Sequence, residues 1–168
     1  MTSALDVRIA RPEERLPLQR MLELYQHDLS DIWDQDIDPN GEYGYNLDRY
    51  WKDSDCWPYL LRVAGRLAGF ALVDRRVRIP GDDFWMDQFF VLKKYRRQAI
   101  GSAAAAVVLD KHHGRWQVGQ MPGNLAARAF WRRLIGSYTR NGYIEEQLTT
   151  GWWQGYVQRF ESPRRVET

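Results

Sequence analysis

A chain of 168 residues has room for one well-packed domain and is short for two. With 44% hydrophobic and 27% charged residues it has the composition of a folded globular protein, not of a disordered or fibrous one. One cysteine excludes an internal disulfide, no apolar run approaches a membrane-spanning helix, and a net charge of only +2 argues against a nucleic-acid binder.

Residues 5–10 alternate apolar and polar and predict a first strand. Pro12, Glu13 and Glu14 make a helix start. Leu16, Leu18, Met21, Leu22, Leu24, Tyr25 and Leu29 then recur at helical spacing, with Pro17 restricting where the helix begins. From Ser30 to Trp51 no clean period survives, and Pro39-Asn40-Gly41 signals a turn. This reads as a short helix and a long functional loop. Residues 59–64 and 67–73 predict two strands around a Gly65-Arg66 hairpin turn, with Gly69 marking a bulge. A basic, turn-rich connection leads to a central strand over 84–92. Residues 102–113 predict a helix stopped by Gly114, and 115–120 a short strand. Asn124 caps a helix to 134 or 135, with Gly136 just past its end. Residues 143–148 and 152–160 predict a terminal strand pair. The expected organisation is one domain over 1–161 and a polar tail over 162–168. The first residues lack the basic-then-apolar plan of a secretory leader, so a cytoplasmic protein is expected.

The stretch between the central strand and the next helix, Val91-Leu92-Lys93-Lys94-Tyr95-Arg96-Arg97-Gln98-Ala99-Ile100-Gly101-Ser102, is the most informative in the chain. It is basic and ends in Gly-Ser where the helix begins. A helix start leaves backbone N–H groups unpaired and carries partial positive charge. A glycine there lets a ligand approach the backbone. Two readings follow from the residues alone: a cradle for a phosphate or pyrophosphate, or a solvated basic turn.

This stretch resembles the acetyl-CoA loop of the GCN5-related N-acetyltransferases, whose pattern Val-x-x-x-x-Arg/Gln-x-x-Gly-x-Gly/Ala is met here by Val91, Arg96, Ala99 and Gly101. Ala99 departs from the pattern by a methyl group. Downstream, Asn124, Ala127, Phe130 and Trp131 resemble the family's second signature, Asn-x-x-Ala-x-x-Phe-Tyr, with Trp131 in place of the tyrosine. The resemblance covers roughly residues 58–136. It implies an α/β (α+β type) fold: a mixed, mostly antiparallel sheet, splayed at its middle, with helices on both faces. It also implies an N-acetyltransferase with acetyl-CoA as co-substrate, held at Val91, Leu92, Arg96, Arg97, Gln98, Ala99, Ile100, Gly101, Ser102, Asn124 and Trp131, with Val91 and Leu92 acting through their backbone.

Acetyl transfer to an amine needs a base for the amine and, at the leaving thiolate, a proton. Asp87 lies four residues before Val91 and on strand parity shares its face, with Gln88 opposite. It is either the base, acting through water, or a charge satisfied by a neighbouring Arg or Tyr. An indole N–H supplies no proton at useful pH, so Tyr138 and Tyr143 are the candidate acids; their alternative is ordinary packing. His112-His113 reads as favourable charge at a helix C-terminus rather than a metal site. Residues 25–51 hold seven acids (Asp28, Asp31, Asp34, Asp36, Asp38, Glu42 and Asp48) against one base, Arg49, amid Tyr25, Trp33, Tyr43, Tyr45, Tyr50 and Trp51. Family members place this segment beside the acceptor, which implies a cationic small-molecule amine. No metal, nucleic acid or membrane partner is expected, and the chain acts as monomer or homodimer. The rival function is a fold-retaining CoA-binding module with little catalysis.

Overall fold

The computed structural model describes residues 4–163. β1 (Leu5–Ile9) leads through a 3-10 turn at Pro12–Glu14 into α1 (Arg15–Trp33). Pro17 sits in the first turn of α1, where its missing N–H is no loss. α1 closes on Asp34 in the left-handed conformation, and the chain then loops to a single-turn helix, α2 (Asp48–Lys52). β2 (Cys56–Val63), β3 (Arg66–Asp74) and β4 (Phe84–Val91) follow, then α3 (Ile100–Lys111), β5 (Gly114–Gln120), α4 (Leu125–Thr139), β6 (Tyr143–Leu148) and β7 (Gly155–Ser162).

The strands form one seven-stranded sheet in the order β1-β2-β3-β4-β5-β7-β6, antiparallel except where β4 meets β5. Alternation along β2 divides the core between its faces. Tyr59, Leu61 and Val63 pack with Ala104, Val108, Trp116 and Leu134 under α3 and α4. Leu60 packs with Leu18, Leu22, Phe70, Leu72 and Phe90 under α1 and α2. The mixed, mostly antiparallel sheet with helices on both faces is the expected fold.

Four local expectations shift, each for a physical reason. The hairpin turn is Ala64-Gly65, one residue early, with both φ angles positive as a two-residue turn requires. The extra residue of the β2–β3 bulge is Ala68; its neighbour Gly69 is required because a Cβ there would collide with the Phe90 carbonyl. Gly136 lies inside α4, which runs on to Thr139 and ends at Arg140 in the left-handed conformation, while the Asn141 N–H returns to the Gly136 carbonyl at 2.7 Å. His112 is buried: its Nε2 lies 2.7 Å from the Tyr59 hydroxyl, and burial pushes its pKa down to about 4, so it caps α3 as a neutral ring rather than a charge. Of the expected tail, Ser162 belongs to β7 and is buried, Pro163 is exposed, and 164–168 lie outside the described residues.

Candidate active site

β4 and β5 pair over only three residues, from Phe84 opposite Trp116 to Met86 opposite Val118, and then diverge. The divergence opens a cleft of about 890 Å³, bounded by both strands, by α1, by the 93–102 loop and by the start of α4. Its size suits an extended ligand.

A second bulge sits where the strands part. Leu72 of β3 pairs with Gln88 and Val73 with Met86, so Asp87 is the extra residue on β4. Before it Phe84 and Met86 face the α3/α4 core; after it Phe89 and Val91 do. Asp87 and Gln88 are therefore turned together to the other face, where the Tyr45 hydroxyl meets both. The expectation that Asp87 shares the face of Val91 counted an unbroken strand and fails at this bulge.

On that face one oxygen of Asp87 is fully used. Its Oδ2 accepts from Tyr45 (2.7 Å), Tyr50 (2.7 Å) and Arg49 Nη2 (2.9 Å). Among the described residues Oδ1 has no partner, and Asp87 lines the cleft. Arg49 also lies 2.6 Å from Asp74 Oδ2, an ion-pair distance without hydrogen-bond geometry. Asp74 is 1% exposed, and burial, then the charge of Asp87, raises its pKa. Burial, followed by the charge of Asp87, also pushes the phenols of Tyr25, Tyr45 and Tyr50 well up, so all three remain hydrogen-bond donors. Sequence reading marked these aromatics as acceptor contacts but had no signal that they converge on Asp87.

The other end is built from backbone. The Leu92 N–H donates to Ala68 (2.8 Å), and the Leu92 carbonyl accepts from Tyr95. Alternation then turns the N–H and carbonyl groups of Phe89 and Val91 away from β3, toward the gap. The unanticipated Phe89, with the Val91 N–H, rather than Leu92, thus presents the free edge; the Val91 carbonyl is taken by Arg96. The first bond of α3 runs from the Ala103 N–H to the Ala99 carbonyl, so the N–H groups of Ile100, Gly101 and Ser102 have no partner within the helix. Ala99 supplies no side-chain cap and, like Arg97, holds a positive φ. A Cβ on Gly101 would lie 3.5 Å from Phe130 and 3.6 Å from Val91, an ordinary contact; the fold alone does not demand glycine, and the space opens on the cleft.

Arg97, Ala99, Gly101, Ser102, Asn124 and Trp131 all line the cleft. Arg96 does too, but its Nε donates to the Val91 carbonyl (2.7 Å) and its Nη2 to Asp28 (2.6 Å), tying the loop to α1. Asn124 Oδ1 caps α4 at the Ala127 N–H (3.3 Å), leaving its amide donor for the cleft. Gln98 donates to the Lys94 carbonyl, and the Ile100 side chain packs into the core. Tyr138 and Tyr143 are not brought to the cleft. Tyr138 lies two helical turns beyond Trp131, about 10 Å along α4, with its hydroxyl between Asp110 and Ser162. Tyr143 packs against the α3/α4 core from β6. Among the acids of the 25–51 segment only Asp28 lines the cleft, and it is paired with Arg96. Among the described residues no group of three or more His, Cys, Asp or Glu side chains is placed to hold a metal ion, and no helix is long and apolar enough to cross a membrane.

The acetyltransferase (GNAT) family model matches residues 18–136. No curated protein matches the chain in sequence. Among solved structures, an acetyltransferase from Thermus thermophilus is similar, with a TM-score of 0.68 at 14% identity over 95% of this chain and 98% of that one. So is yncA from Salmonella typhimurium with its cofactor acetyl-CoA, with a TM-score of 0.61 at 14% identity over 99% and 98%. The aminoglycoside acetyltransferase AAC(6')-Ib in complex with coenzyme A aligns with a TM-score of 0.66 at 12% identity over 94% and 95%.

Proposed function

The chain belongs to the GNAT acetyltransferase family, an N-acetyltransferase using acetyl-CoA as co-substrate, and we propose that residues 1–161 act as one unit that moves the acetyl group directly to a primary amine of a small molecule. The observation that carries this reading is the composition of the cleft. The backbone edge of Phe89, the Val91 N–H and the open start of α3 suit an amide-bearing arm and its pyrophosphate. At the other end stands a carboxylate with one open oxygen.

In this reading Asp87 Oδ1 takes the amine proton through a water. The amine nitrogen then bonds to the thioester carbonyl carbon, the C–S bond breaks, and the thiolate leaves. Tyr25 is the tyrosine that lines the cleft, but burial and Asp87 hold its proton too tightly for it to act as an acid. It serves as a hydrogen-bond donor. A thiol is acidic enough to leave without a protein proton donor. Cys56 supports direct transfer: it sits beside Arg49, outside the cleft, and burial pushes its thiol up.

The cationic acceptor expected from the acidic segment has less support than the amine itself, since the one acid of that segment at the cleft is already paired. Trp131 and Ala99 favour a second reading, a CoA-binding module with little turnover. A panel of primary amines with acetyl-CoA, read by free-thiol release, separates the two. Release with at least one class of amine is expected; tight CoA binding with no release from any amine would sink the transfer reading.

A further inference from the structure

Arg78 belongs to none of the chemistry above, yet the fold goes to some length to hold it. The N–H groups of Arg78 and Ile79 donate to Gln117 Oε1 at 2.8 and 3.1 Å. Gln117, fully buried in β5, donates in return to the Ile79 carbonyl (2.6 Å) and Asp82 (2.7 Å). The guanidinium is then flanked by two indoles, 4.2 Å from the Trp85 ring and 4.4 Å from the Trp152 ring. Trp85 meets Trp153 edge to face at 5.4 Å. Both rings come up against the cleft residue Gly119, where a Cβ would collide with Trp85. Trp85 is two residues before Asp87, about 7 Å along β4.

The guanidinium is incompletely satisfied. Its Nη1 donates to the Arg76 carbonyl, but its Nε is buried without a partner, as is the Trp85 Nε1 beneath it. Among the described residues no carboxylate pairs with it. Burial pulls its pKa down, and the charges of Asp87 and Asp74 act in the opposite direction. A half-buried cation without a counter-ion is costly, and among the described residues its Nη2 has no acceptor. Trp152, 81% exposed, forms one side of the clamp and is uncovered unless something rests on it.

We propose that Arg78 is the anion-binding group of the acceptor site, and that the acceptor is a primary amine carrying a carboxylate, its nitrogen toward Asp87 and its carboxylate against Arg78. The two rings cover the faces of the guanidinium, Nη1 is taken by the Arg76 carbonyl and Nε is buried, which leaves Nη2 to donate a charge-assisted hydrogen bond to one carboxylate oxygen. This rests on the transfer reading and narrows it.

The test is a matched panel on the full chain with acetyl-CoA: the common amino acids, their carboxamides and their decarboxylated amines, each read by thiol release. The acids should exceed their matched amides and amines in kcat/KM by about 10- to 100-fold, the weight of a charge-assisted pair. Arg78→Gln should erase that preference by raising KM for the acids alone, and Arg78→Lys should restore part of it. Equal turnover of acids, amides and amines by the unaltered protein would overturn the assignment, and needs no variant to fold. An Arg78→Gln protein that loses all substrates alike would overturn it too. Transfer without carboxylate preference removes only the role of Arg78; no transfer to any amine removes the transfer reading and this inference with it.

Discussion

The two ends of the cleft are made of different material. The end near α3 is backbone: N–H groups at a helix start, a strand edge without a neighbour, and a glycine that leaves room. The end near Asp87 is side chain: Tyr45, Arg49 and Tyr50 from one region close on one carboxylate oxygen, and Asp74 from another strand shares the Arg49 guanidinium. A backbone-built end depends on local geometry and tolerates many side chains. A side-chain-built end depends on every partner, because each buried charge is left uncompensated when another is removed.

The largest effect should therefore come from Arg49. Arg49→Met leaves Asp74 and Asp87 facing each other without the guanidinium, and breaking such a pair costs about 3–5 kcal/mol. Denaturant unfolding reads this directly; a loss under about 1 kcal/mol would mean the network is not what holds α2 to the sheet. CoA affinity of the folded fraction should stay near that of the parent. A parallel collapse of CoA binding would break the division between the two ends. Next in size is Asp87→Asn, which keeps an acceptor oxygen for Tyr45, Tyr50 and Arg49 but cannot take a proton. The rate should fall about 100-fold and its rise with pH should flatten, with CoA affinity unchanged. A parental rate across pH would remove Asp87 from the proton path.

The same contrast explains what could be read from sequence. The strand, loop and helix of the backbone-built end lie within Val91 to Ser102, one continuous stretch, and its motif was visible as such. Even there, Leu92 was expected to offer its backbone, because only the ladder shows that its N–H is spent on Ala68 while Phe89 is free. Asp87 was legible as a residue but not in its orientation, since a bulge has no signature in a run such as Phe84–Val91 that is apolar on both faces. Its partners lie 37 to 42 residues away, beyond any periodicity. Trp131 could be read as a departure from the family's tyrosine, yet nothing local told that Tyr138 would turn to Asp110 and Ser162.

At the backbone-built end, Gly101→Val tests whether room rather than chemistry matters. The first added carbon meets only ordinary contacts, so the fold should survive; the methyls beyond it enter the cleft. CoA affinity should drop about tenfold, near 1.4 kcal/mol. Calorimetry showing parental affinity in a folded Gly101→Val protein would take the loop out of the binding site.

The smallest effect, and the one that bears most on how far this loop departs from its family, belongs to Ala99. It caps α3 at a φ of 59°, a conformation that is costly for a residue with a Cβ, by about 1 kcal/mol. Ala99→Gly relieves that strain, but a glycine gives the unfolded chain more freedom, worth about 0.4–1 kcal/mol in the other direction. The two nearly cancel, so unfolding free energy should move by less than about 0.5 kcal/mol. CoA affinity should change by less than about threefold, because Ala99 already holds the conformation that a glycine would adopt and the N–H groups behind it already point free. A gain well beyond about tenfold on calorimetry would show instead that the methyl group stands where the ligand must pass. In that case this end of the cleft depends on a side chain after all, and the contrast with the Asp87 end is one of degree.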